Sequence, residues 1–127
     1  MSKYSIKFHE TGRDDFKALP KNVRTHLKKR LPELLGRDPI ACSDGLRPPL
    51  EIFRSCHIGN YRVVFYIAED IRAVAIAGIG KHSPDAKKDI YRKLEHLVTK
   101  GRLAKKVLDV LKGLGHESDH PPNPPSA

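Results

Sequence analysis

An α+β fold is predicted: a small twisted antiparallel sheet of about four strands, with two N-terminal helices packed on it and further helices at the C-terminal end. Three observations carry that reading. Four short runs are strand-like, and the first of them alternates apolar and polar residues with a period of two. In the remaining stretches apolar residues recur at spacings of three and four. The two kinds of segment are segregated along the chain, in the order strand, two helices, three strands, two helices.

Tyr4, Ile6 and Phe8 alternate with Ser5, Lys7 and His9, so a half-buried strand is expected over Lys3–His9. Gly12 breaks it, and Asp14 and Asp15 suit the positive end of a short helix reaching Leu19. After Pro20 comes a second helix, Lys21–Leu35. Val23, Leu27, Leu31, Leu34 and Leu35 form its apolar stripe, and Arg24, Lys28, Lys29 and Arg30 its opposite face. Pro32 removes one hydrogen bond inside that helix, so a kink or brief break is expected before the last turn; Gly36 stops it.

Residues 37–49 are rich in turn formers and read as a loop. Leu50–Ile58, Tyr61–Ala68 and Ile71–Gly78 read as a three-stranded antiparallel meander. Gly59-Asn60 and Glu69-Asp70 divide it, each short enough for a tight hairpin. The third strand, IRAVAIAG, is mostly apolar and belongs at the centre of the sheet. A loop over 81–85 leads to a helix at Ala86–Lys100 with Ile90, Leu94, Leu97 and Val98 on its apolar face. Gly101 interrupts it, and Leu103, Val107, Val110 and Leu111 mark a last short helix. One domain over residues 1–113 is expected, followed by a Pro-rich disordered tail over 114–127.

Lys and Arg number 24 against 15 Asp and Glu, a formal charge of +9. Such a surplus on a small domain favours a polyanionic partner through counterion release, which places nucleic acid or the ribosome ahead of a merely solvated basic surface. No stretch joins a basic face to a long apolar one, which disfavours a membrane surface. Cys42 and Cys56 have neither the number nor the spacing of a disulfide framework or a zinc site. The N-terminus MSKYSIKFHE lacks the apolar core of a signal peptide, so a cytoplasmic address is expected. His9 and His26 have no partner at metal-ligand spacing, and no metal or other cofactor is expected.

The hairpin at Gly59-Asn60 carries the chemistry. A two-residue loop pairs Ile58 with Tyr61, and so His57 with Arg62 on one face. That sets a proton carrier beside a cation able to grip a phosphate with a forked pair of hydrogen bonds. The alternative is an ordinary cross-strand surface pair. Strict alternation turns Arg54 to the other face unless a bulge returns it. Lys81 and His82 follow the central strand directly and would add a second cation and a second imidazole. Tyr91, one turn into the next helix, would stack on a base or simply pack in the core.

The strings IGNYRVVFYI, VAIAGIGKHS and DIYRKLEHL, in that order, resemble the core of the RelE/ParE toxin superfamily, and VRTHLKKRLPELL looks like its second helix. The resemblance spans about Lys3 to Leu97 and implies a RelE-like fold and a toxin held by a cognate antitoxin. RelE-type members cut mRNA in the ribosomal A site; ParE-type members inhibit DNA gyrase. Carried over, Arg62 matches the arginine of the Y-R motif, and His57 takes a place usually held by Lys or Arg. Lys81 and His82 match basic residues after the strand, and Tyr91 the helix tyrosine. Arg24, Lys28, Arg54 and Lys88 are candidate RNA contacts. Ser55 stands where another basic residue is common, and the loop before Tyr91 is longer than in the prototype. The reading expected is a metal-independent endoribonuclease acting by 2′-hydroxyl attack. A gyrase inhibitor, or an inactive relative that only binds an antitoxin, is the alternative.

Overall fold

The computed structural model describes residues 3–85 and 87–99. The expected last helix and tail lie outside them, as do Ala86 and Lys100 at the ends of the expected third helix. The chain runs through β1 (Ser5–Phe8), α1 (Glu10–Lys17), α2 (Lys21–Leu34), β2 (Asp44–Gly45), β3 (Arg54–Ile58), β4 (Tyr61–Ala68), β5 (Ala73–Gly80) and α3 (Ile90–Thr99). Among the described residues no helix is long and apolar enough to cross a membrane.

The five strands form one sheet in the order β1-β5-β4-β3-β2. From β2 to β5 neighbours are antiparallel, while β1 lies parallel to β5. The α+β class is as expected, but the sheet is mixed and has one strand more than the sequence pattern predicts. Short turns force antiparallel pairing along the meander. β1 meets β5 only after two helices and three strands, so nothing local sets its direction. β2 is two residues long, too short for alternation to show.

Leu50–Phe53 is a turn and not the start of a strand, with the Phe53 amide donating to Leu50 O at 2.9 Å. Leu50 and Phe53 are nonetheless buried, which explains why the segment reads as apolar and periodic. The second hairpin is longer than two residues. A 3-10 turn over Glu69–Ile71 and Arg72 at φ 51° close it, so β5 begins at Ala73. Pro32 sits in the last turn of α2, which continues without a break to Leu34.

Side chains leave the sheet on two faces. Leu27, Leu31 and Leu35 cover one, against Cys56, Ile58, Val63, Phe65, Val74 and Ile76. Ile90 and Leu94 of α3 cover the other, with Leu50, Phe53, Val64, Ala75 and Ala77. β5 is buried from Ala73 to Ile79, as its composition requires of a central strand.

β1 stops opposite Ile76, and α1 takes over beyond it as the neighbour of β5. The Thr11 hydroxyl donates to Ala77 O at 2.5 Å, and the Ile79 amide donates to Asp15 Oδ2 at 3.0 Å. Thr11 and Asp15, four apart on one helical face, thus satisfy backbone groups that a strand would otherwise pair.

Candidate functional site

The β3–β4 hairpin turns at Gly59, whose φ of 61° suits the first central position of a tight hairpin turn. The observed register pairs Ile58 with Tyr61 and His57 with Arg62. Cys56 and Ile58 belong to the face covered by α2, so Ser55 and His57 face α3. Arg62 joins them.

The end of β5 reaches the same place through a bulge. Val64 pairs with Gly78 and Phe65 with Ile76, which leaves Ala77 unpaired and reverses the phase of every later side chain. Ala73, Ala75 and Ala77 face α3 before the bulge; after it, a Cβ on Gly78 or Gly80 would meet Ile90 of α3. His82 therefore follows onto the α3 side, where its ring stands edge-on to Tyr91 with centroids 5.1 Å apart. Lys81 goes the other way, and its ammonium lies 5.5 Å from the ring centre of Tyr61.

His57, Arg62, His82 and Tyr91 line one cleft of about 480 Å³. Arg47 and Glu95 complete its polar lining, and Leu46, Pro48 and Leu50 form an apolar wall. Four of the five expected catalytic residues are thus brought together, and Lys81 is not among the cleft residues. Neither arginine of the cleft forms an ion pair with a described residue.

Asp89, immediately before α3, organises the site. Its Oδ1 lies 2.6 Å from His82 Nδ1 and accepts the Ser83 amide at 2.8 Å. Its Oδ2 accepts the Arg92 amide at 3.1 Å, the bond of a helix N-cap. Burial works against a charge on Asp89, but the bonds from the Ser83 amide, His82 and the Arg92 amide outweigh it and hold the carboxyl below its ordinary range. A carboxylate can only accept, so His82 Nδ1 carries a proton, and in the neutral ring Nε2 is left as the acceptor. The His82 side chain is 59% exposed, against 5% for Asp89. On the cleft's other flank, buried Ser55 holds the Tyr91 hydroxyl at 2.8 Å.

The folded carboxyl of Asp89 is more acidic than the unfolded one. Its stabilising effect is therefore present above the unfolded value and lost as pH falls through the folded value. We expect Asp89→Asn to lower unfolding free energy by about 1–2 kcal/mol at pH 7. The difference should close only as pH falls through the folded value of Asp89, which lies below the ordinary carboxylate range. Urea unfolding at three pH values checks this; a gap independent of pH would mean that the charge of Asp89 contributes nothing.

The residues expected to touch RNA scatter. Arg24 donates to Leu19 O at 2.8 Å and to Lys17 O at 3.3 Å, closing the end of α1. Arg54 donates from Nε to Ser43 Oγ at 2.7 Å and from Nη2 to Ser43 O at 2.8 Å, pinning the loop before β2. Lys28 is exposed on α2, across the sheet from the cleft, and Lys88 is exposed in the turn before α3. Sequence reasoning passed over Asp89, Arg47 and Glu95. An aspartate directly before the apolar run IYRKL is a helix-start signal that would have drawn attention to Asp89. Nothing local marks the other two. Among the described residues no three His, Cys, Asp or Glu side chains gather as a metal site.

Residues 6–86 match the family model for the ParE toxin of type II toxin–antitoxin systems, parDE. Solved structures are similar as well. The toxin–antitoxin complex RelBE2 from Mycobacterium tuberculosis contains a chain 26% identical to this one, with a TM-score of 0.61, over 65% of this chain and 94% of that one. A chain of the intact E. coli RelBE toxin–antitoxin complex is 24% identical, with a TM-score of 0.51, over 63% and 98%. The isolated E. coli RelE toxin is 21% identical, with a TM-score of 0.53, over 76% and 97%. These last two establish a shared fold. No curated protein sequence matches significantly.

Proposed function

This chain belongs to the ParE toxin family of the RelE/ParE superfamily, and on that premise we propose that it is the toxin of a type II toxin–antitoxin system and cuts translated mRNA in the ribosomal A site. One observation supports the nuclease reading above the others. The cleft joins an arginine that forms no ion pair with a described residue to an imidazole whose Nδ1 is held by a buried carboxylate, a phosphate grip beside an oriented base.

In the proposed reaction His82 Nε2 takes the proton of the ribose 2′-hydroxyl as that oxygen bonds to phosphorus. The bond from phosphorus to the 5′ oxygen breaks, and that oxygen takes a proton from His57 in its charged form. Arg62, with Arg47, holds the non-bridging oxygens as negative charge builds on them. The products are a 2′,3′-cyclic phosphate and a free 5′-hydroxyl, and the two imidazoles exchange roles in net proton count. Tyr91, steadied by Ser55, offers a ring for a base. An acidic segment of a cognate antitoxin would neutralise this cleft.

A second reading, gyrase inhibition without chemistry, is favoured by the match to the ParE branch in particular. Inducing the wild type and His82→Ala in bacteria and mapping mRNA 5′ ends by primer extension separates the two. New ends inside translated codons, absent in the variant, are the result expected. Growth arrest without such ends, unchanged in the variant, would replace the nuclease reading with the inhibitor.

A further inference from the structure

Glu95 is the one acidic side chain among the described residues that line the cleft, and a phosphate-binding site does not call for it. It sits one helical turn after Tyr91 on the same side of α3, and shares the cleft with Arg47 and Arg62. Yet among the described residues its carboxylate lies within 4 Å of no cation and accepts no hydrogen bond. A carboxylate is acceptor-only, so the ligand feature it fits is a pair of donors. The apolar wall of Leu46, Pro48 and Leu50 bounds the same space, a surface suited to the face of a flat ring.

We propose that Glu95 and this wall form a subsite for a guanine base, which rests on the RNA-binding reading given above. The choice among bases follows from their Watson–Crick edges. Guanine presents N1–H and N2–H side by side, matching both carboxylate oxygens. Adenine and cytosine present one amino donor next to a bare ring nitrogen, whose lone pair a carboxylate repels. Uracil presents one N–H between two carbonyl oxygens. Only guanine gives two bonds and no repulsion, while Arg47 and Arg62 take the phosphates.

The test uses purified protein and four fluorescein-labelled 2′-O-methyl trinucleotides that differ only in the central base. The missing 2′-hydroxyl keeps them intact, so binding is read by anisotropy whether or not the protein cuts RNA. The guanine probe is expected to bind about tenfold tighter than the others. In Glu95→Gln the guanine preference should be lost, because an amide offers one donor and one acceptor and can pair with the Watson–Crick edge of any base. Equal affinity for all four probes, no measurable binding of any, or a guanine preference unchanged in Glu95→Gln would overturn the subsite. Loss of mRNA cleavage at every site in that variant, without any base preference in binding, would instead make Glu95 a proton carrier and also overturn it. Guanine preference in a protein that cuts no mRNA would leave the subsite standing and remove the reaction.

Discussion

Replacing Gly12 with alanine is expected to cost several kcal/mol of stability, although alanine is the better helix former. Gly12 lies inside α1, where intrinsic propensity favours alanine by about 1 kcal/mol. Against that, a Cβ at this position would collide with Ile76 O and would come 2.9 Å from Ile76 C and 3.2 Å from Ala77 C. All three are backbone atoms of the buried central strand, so no side chain can rotate away. Relief requires α1 to lift from β5, which breaks the bonds of Thr11 to Ala77 and of Asp15 to Ile79. Overpacking costs about 1–3 kcal/mol, and each lost bond to a buried backbone group adds about 1–3 kcal/mol. The two effects have opposite signs, so the midpoint of urea unfolding decides between them. A midpoint that rises would show that α1 is free to shift on the sheet.

The same glycine shows where the sequence is readable and where it is not. By itself Gly12 looks like the end of a strand, which delays the expected helix to Asp14; it is required by a contact with Ile76, 64 residues away in the chain. The hairpin at Gly59 is the opposite case. There a two-residue turn sets the register through covalent geometry, and the pairing of His57 with Arg62 follows from the sequence alone. Lys81 and His82 fall between. Adjacent residues at a strand end must point apart, but which of them reaches the cleft depends on the bulge at Ala77, and the glycines of AIAGIG allow a bulge without fixing where it falls. Charge was the least informative guide. Arg24 and Arg54 look like RNA contacts on a basic chain, and the fold uses both to satisfy carbonyl groups of its own loops. Among the described residues the side chains of the cleft's two arginines make no such bonds. Arg47 reaches the cleft from a loop whose path depends on the turn at Leu50–Phe53, a segment that periodicity reads as strand and that the burial of Leu50 and Phe53 anchors.

Arg62→Ala is expected to reduce cleavage of ribosome-bound mRNA by about 10²–10³-fold, the usual effect of removing one donor aimed at a developing negative charge. Its effect on stability should stay within about 0.5 kcal/mol, because Arg62 is only partly buried and makes no ion pair with a described residue. That separation matters, since a loss of activity through unfolding would move both quantities together. Arg62→Lys refines the test. Lysine keeps the charge but not the planar fork, so an arginine that merely attracts RNA would tolerate the change. One that holds two phosphate oxygens in the transition state would still lose about an order of magnitude or more. Single-turnover cleavage on programmed ribosomes, paired with thermal unfolding of the same samples, gives both numbers. Wild-type cleavage by Arg62→Ala would transfer the phosphate contact to Arg47, the other cleft arginine that forms no ion pair with a described residue, and the proposed geometry of attack would have to be rebuilt around the loop before β3.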